Sequence, residues 1–311
     1  TDEDKRLFLF PLKYKNVFDH YKKHCTTFWT VEEVDLARDY LAYEKLEKGT
    51  QKFIAMTLAF FSQADAVVME NINDNFAEEM KPLEHRLFLS IQVFIEGVHS
   101  EMYAQLLQEI VRDKEERTKM IHGISTYECL KDKHDWCVRY MDRKKPFASR
   151  LLAFTILEGV FFSSAFCSIY YIKKQGIEMP GLISSNEFIS RDEGLHRDFG
   201  VMVYKDLKNK LSQDEAHKMF KAAVSIENRC IREAIPVALI GINADTMLQY
   251  VQFVADGLLQ ALGYDKIWHQ ANPFEWMELI SLQRKGNFFE NRVSEYARAD
   301  LDFKFSLDDD F

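Results

Sequence analysis

The sequence predicts an all-α protein, a bundle of long helices with no sheet. Three observations carry that expectation. Apolar residues recur at helical spacing in nearly every long segment, alternating strand patterns and Asn-Gly or Asp-Gly hairpin signals are scarce, and two S/T-x-x-E boxes stand before amphipathic runs. In chain order, Thr30-Val-Glu-Glu33 opens a helix predicted over 31–47, its hydroxyl and carboxylate satisfying amide donors at the helix start. Two apolar-periodic runs follow over 52–77 and 82–111, and a third over 147–175. Met179-Pro-Gly-Leu182 reads as a turn before the helix at 186–208. Ser212-Gln-Asp-Glu215 opens 213–233, and 243–262 is the last predicted helix. Asp300–Phe311, DLDFKFSLDDDF, mixes acids and aromatics without a core pattern and reads as a flexible segment. The domain organisation expected is one helical domain over 1–295 and a tail over 296–311.

With 311 residues, 47% of them hydrophobic, the chain is long enough for one large buried core. A formal net charge of −9 gives no basic footprint for nucleic acid or an anionic membrane surface. Five cysteines, Cys25, Cys129, Cys137, Cys167 and Cys230, are odd in number and contain no C-x-x-C, so they fit neither a disulfide framework nor a zinc site. A reducing, cytoplasmic setting is expected. Leu151 to Tyr171 has the length and apolarity of a membrane span, but Glu158 near its centre and Ser163, Ser164 and Ser168 favour a helix buried inside a bundle.

Glu96-Gly-Val-His99 and Glu193-Gly-Leu-His196 are both E-x-x-H, and their i, i+3 spacing puts each pair on one helix face. Chance alone yields roughly one such match in a chain of this composition, so a single copy means little. Context changes the odds. Each pair lies in an apolar helix, and each follows a helix with an isolated carboxylate, Asp65 in the first case and Glu158 in the second, with no Lys or Arg within one turn of either. A buried carboxylate costs several kcal/mol unless it is neutralised, paired or bound to metal. Asp65 precedes Glu96 by 31 residues and Glu158 precedes Glu193 by 35, a degenerate helix-pair repeat. Folded together, the two halves would bring four carboxylates and two imidazoles to one point, the arrangement of a ferritin-like helical bundle with a dinuclear metal site in its four-helix core. That donor set suits two iron ions, with manganese not excluded, and dioxygen as the oxidant. Tyr103 shares the face of Glu96 and His99, one turn further along. An aromatic at such spacing is more often a plain core residue.

The stretches EGVHSEMY, LEGVFFSSAF, ISRDEGLH and FWTVEEVDL resemble the signature regions of class I ribonucleotide reductase small subunits, most closely the eukaryotic-type members, and the resemblance runs from about Phe8 to Phe311. It implies that Asp65, Glu96 and His99 hold one iron and Glu158, Glu193 and His196 the other. Tyr103 becomes the radical carrier, shielded by Phe162, Phe166 and Ile189. Trp29 and Asp192 become a radical-transfer route from His99, continued by Tyr296. The terminal FSLDDDF becomes a peptide that docks on a separate large subunit through Phe305, Leu307 and Phe311. The large subunit would reduce ribonucleotides to deoxyribonucleotides, and the small subunit would be a homodimer. Two other classes share the architecture, a dinuclear-iron oxidase or hydroxylase and a ferritin-like iron store. The first lacks the relay formed by Trp29, Asp192, Tyr103 and Tyr296, and the second lacks the docking tail.

Overall fold

The computed structural model describes residues 6–124, 127–234 and 236–277, and among these helices are the only regular structure. In order they are α1 (Lys15–Thr26), α2 (Asp39–Tyr43), α3 (Lys48–Asn71), α4 (Ala77–Glu79), α5 (Leu83–Ile110) and α6 (Lys114–Ile124). They continue with α7 (Glu128–Met141), α8 (Phe147–Ile156), α9 (Ser163–Lys174), α10 (Pro180–Lys205), α11 (Gln213–Cys230) and α12 (Ala244–Leu262). The chain divides into two compact units, Thr1–Pro273 and Phe274–Phe311, and the site lies in the first. There α3 packs along α5, while α10 packs on both α8 and α9 and also touches α5. α1 packs on α5 and α10, and α11 packs on α7 and α8.

Two stretches, Lys48–Glu79 and Phe147–Lys174, are apolar and long enough to cross a membrane by composition. The second is interior to the bundle, with 94% of its most apolar window buried, and the first has 61% of its window buried, one face against its neighbours. Hydroxyls in this apolar setting are satisfied locally: Thr155 donates to the Leu151 carbonyl at 2.8 Å and Ser168 to the Ser164 carbonyl at 2.7 Å. Two π-turns interrupt the long helices, Ile72–Phe76 after α3 and Leu157–Phe161 between α8 and α9. Such turns concentrate at functional sites because the extra residue re-aims a side chain, and the second carries Glu158.

The helix predicted over 31–47 does not form as one piece. The Thr30 box closes, with Glu33 Oε1 accepting from the Thr30 N–H at 2.9 Å, but it starts only a 3₁₀ turn, Val31–Glu33. The chain then diverts to place the buried Asp39 carboxylate over the start of α10, where it accepts from the Gly181 and Leu182 N–H groups at 2.8 Å each. Gly181 makes this possible: a Cβ there would sit 2.5 Å from Leu36 Cδ2 and 2.9 Å from Asp39 Oδ2. Met179–Leu182, predicted as a turn, is therefore the first turn of α10, with Pro180 at the position where a missing N–H costs nothing. Helices α1, α6 and α7 stand where the chain has no long apolar run to announce them. α1 buries only Val17 and His24, and α7 buries a stripe that includes Lys133.

Candidate metal centre

Four elements converge on one point. α3 supplies Asp65, α5 supplies Glu96 and His99, the Leu157–Phe161 π-turn supplies Glu158, and α10 supplies Glu193 and His196. All six side chains are buried, none more than 4% exposed. Gly200 permits the approach of α10 to α8, since a Cβ there would lie 2.5 Å from Thr155 Oγ1.

The donor atoms form two groups that share one residue. Atoms of Glu96, Glu158, Glu193 and His196 lie within 4.8 Å of one another, and so do atoms of Asp65, Glu96 and His99. Both imidazoles turn Nδ1 inward between the same two carboxylates. His99 Nδ1 is 3.1 Å from Glu193 Oε1 and 3.4 Å from Glu96 Oε2, and His196 Nδ1 is 2.9 Å from Glu96 Oε1 and 3.4 Å from Glu193 Oε2. None of these approaches has hydrogen-bond geometry. Asp65 Oδ2, both carboxylate oxygens of Glu96 and Glu193, Glu158 Oε2 and the two Nδ1 atoms are buried without a hydrogen-bond partner. Buried acceptors that converge without donors are what a cation satisfies, so the residues fit a dinuclear metal group.

Electrostatics agree. Burial, then the neighbouring carboxylates, push the Asp65 and Glu158 carboxyls well above their usual range. Burial alone would lower both imidazoles, but the surrounding carboxylates outweigh it and raise them, His196 to about 9. Four carboxylates in a dry pocket hold protons strongly, and divalent ions relieve the same repulsion.

Behind the donors stands a second layer. Asp192 Oδ2 accepts from the Trp29 indole N–H at 2.7 Å and faces His99 Nε2 at 3.3 Å, while the Trp29 and His99 rings lie 6.1 Å apart at 25°. Arg191 donates from Nε and Nη2 to Asp192 Oδ1, each at 3.2 Å. Burial would raise the Asp192 carboxyl, but the bond to His99 and the Arg191 charge outweigh it and hold it below the usual range. Gln92 donates to Glu158 Oε1 at 3.2 Å. His24 Nε2 meets His196 Nε2 at 2.9 Å.

Tyr103 is buried, its hydroxyl has no hydrogen-bond partner, and burial, followed by the charges of Asp65 and Glu193, pushes its phenol well above the ordinary range. Phe61 stacks on it, ring centroids 4.8 Å apart at 9°, and Phe162 and Phe166 pack on Phe61 at 5.6 and 4.9 Å. Ile189 is fully buried on α10. The structure thus brings together the six donors, and it sets Trp29 and Asp192 behind His99. Tyr296, Phe305, Leu307 and Phe311 lie outside the described residues.

Three members of the site escaped sequence reasoning. Phe61 was visible only as an apolar neighbour of Asp65, and Gln92 had one signal, its position four residues before Glu96 on the same face. His24 had none.

A sequence model described as ribonucleotide reductase, small chain, matches residues 6–273. The chain belongs to this family. The ribonucleoside-diphosphate reductase small chain of Nicotiana tabacum is 45% identical, the match covering 98% of this chain and 95% of that one. The small chain of Trypanosoma brucei brucei is 44% identical, covering 100% and 94%. Among solved structures, the ribonucleotide reductase Rnr4 homodimer from Saccharomyces cerevisiae superposes with a TM-score of 0.82 at 30% identity, over 92% of this chain and 91% of that one. A solved structure from Bacillus halodurans, at 22% identity and a TM-score of 0.79, shares the fold over 85% of this chain and 99% of its own. A ribonucleotide reductase small chain is a dinuclear metal-carboxylate protein, and the buried cluster of carboxylates and imidazoles is compatible with that class.

Proposed function

We propose that this chain is the small subunit of a ribonucleoside-diphosphate reductase, which generates a tyrosyl radical on Tyr103 and passes its oxidising equivalent to a large subunit that reduces ribonucleotides to deoxyribonucleotides. The observation that carries the reading is the convergence of Asp65, Glu96, His99, Glu158, Glu193 and His196 beside a buried phenol on the same face of α5. The names of the relatives support it.

Iron is the favoured metal, and manganese suits the same oxygen and imidazole donors. When bound, the two ions would use dioxygen to supply the one-electron oxidation of Tyr103. The chain's own residues do the rest. Phe61, Phe162, Phe166 and Ile189 exclude water and reductants from the phenol, which extends the life of a phenoxyl radical. Asp192 faces His99 Nε2, fixing the tautomer whose bare Nδ1 points inward. The same carboxylate holds the Trp29 N–H, so Trp29, Asp192 and His99 form one connected route outward from the site. Tyr296 continues that route in the tail. The tail, assigned to residues 296–311 after a helical domain of 1–295, docks on the large subunit through Phe305, Leu307 and Phe311. The working small subunit is a homodimer, a reading supported by the homodimeric state of the yeast Rnr4 protein. Five free thiols suit the reducing cytoplasm.

The test is Tyr103→Phe. The variant is expected to take up as much metal as the parent while losing the sharp visible absorption and the electron paramagnetic resonance signal of the oxidised protein. A surviving signal would assign the radical to another residue.

A further inference from the structure

We infer that His24 is a positioning residue for His196, so that the half of the metal centre containing His196 depends on it while the half containing His99 does not. The inference rests on the reading of the cluster as a metal site. α1 contributes no donor to that cluster, yet it is pinned to α10 beside one. His20 Nε2 meets the Leu195 carbonyl at 2.8 Å, and one turn later His24 Nε2 meets His196 Nε2 at 2.9 Å. Both imidazoles lie against Phe88, with ring centroids at 5.2 and 5.7 Å. The end of α1 is closed there by Thr27, whose N–H and hydroxyl both donate to the His24 carbonyl at 3.0 Å.

The tautomers follow from geometry. His196 turns Nδ1 toward Glu96 and Glu193, and a metal ligand needs that nitrogen bare. Its proton is then on Nε2, so His24 accepts through a bare Nε2 and carries its own proton on Nδ1. That Nδ1 is buried without a hydrogen-bond partner. A fully buried imidazole with one unmet nitrogen, packed on a phenylalanine, costs stability that an apolar residue would not, so its bond to His196 is what the position gains.

The two imidazole donors therefore stand in different company. His99 is backed by the Asp192 carboxylate, which increases its basicity, whereas His196 is backed by a neutral ring, a weaker acceptor. His24 still orients the His196 ring and fixes its tautomer.

Anaerobic titration with Mn(II), in which electron paramagnetic resonance counts the free aquo ion, tests this on the whole chain. The parent is expected to bind two equivalents. His24→Ala is expected to weaken one of them about tenfold and leave the other unchanged, in line with the usual effect of losing a ligand's outer partner. His24→Gln, whose amide oxygen can accept the same N–H, is expected to restore most of that loss. Two equivalents bound as tightly by His24→Ala as by the parent would overturn the inference. Equal weakening of both equivalents in both variants would also overturn it, because that outcome marks a packing role. A parent that takes up no Mn(II) fails the underlying metal reading itself.

Discussion

Asp192 is the residue on which the polar order behind the centre depends. One oxygen receives the Trp29 indole and faces His99, and the other receives Arg191, so a single carboxylate couples an aromatic ring to a member of the buried cluster. On the proposed reading this coupling joins two separable jobs, holding the ion and carrying charge outward. Trp29→Phe keeps a ring at that place and removes the N–H. It is expected to leave metal uptake and the Tyr103 signal near parental levels while lowering turnover with the large subunit by at least tenfold, and unchanged turnover would take Trp29 off the route. The six donors were legible in the sequence because their chemistry conflicts with their neighbours: carboxylates and imidazoles in apolar runs demand an explanation. His24 and Phe61 carry no such conflict in their own segments. Their roles arise only when α1 meets α10 and α3 meets α5.

At the scale of elements, long helices were legible and their interruptions were not. Capping and periodicity are local, but Asp39 leaves its own segment to cap α10, and a π-turn changes the hydrogen-bond register without changing the apolar pattern. The π-turn that presents Glu158 is braced from outside the four donor elements. Lys133 on α7 donates to the Phe161 carbonyl at 3.4 Å and pairs with Glu227 of α11 at 2.5 Å, while Ser164 donates to the other oxygen of Glu227. Lys133 also lies over the Phe60 and Phe161 rings, at 4.4 and 4.9 Å from their centroids. Both partners of the ion pair are buried, so removing one leaves an uncompensated charge in a dry interior. Lys133→Ala is expected to cost about 3–5 kcal/mol in urea unfolding. Lys133→Met combined with Glu227→Leu removes both charges and fills the space, and should recover most of that loss. A single variant that costs under about 1 kcal/mol would show that the pair does not bear on stability.

The whole molecule has to solve a problem that neither residue nor element addresses. A radical that survives in a sealed interior must still act on a partner's substrate. Burial of Tyr103 under Phe61 and its neighbours favours lifetime and opposes contact, so on the proposed reading the exit runs along the hydrogen-bonded Asp192 and Trp29, and the partner is brought to that exit by something weak enough to let go. The terminal FSLDDDF suits the second requirement by its composition: Phe305, Leu307 and Phe311 offer apolar anchors and the three aspartates offer charge to a partner groove. The proposed docking and radical-generating roles fall on different parts of the chain, so a deletion can separate them. Deleting Phe305–Phe311 is expected to leave metal uptake and the Tyr103 resonance signal unchanged and to abolish turnover when the large subunit is added. A synthetic peptide of those seven residues should compete with the full chain for the large subunit, and full turnover by the truncated chain would remove the tail from the docking mechanism.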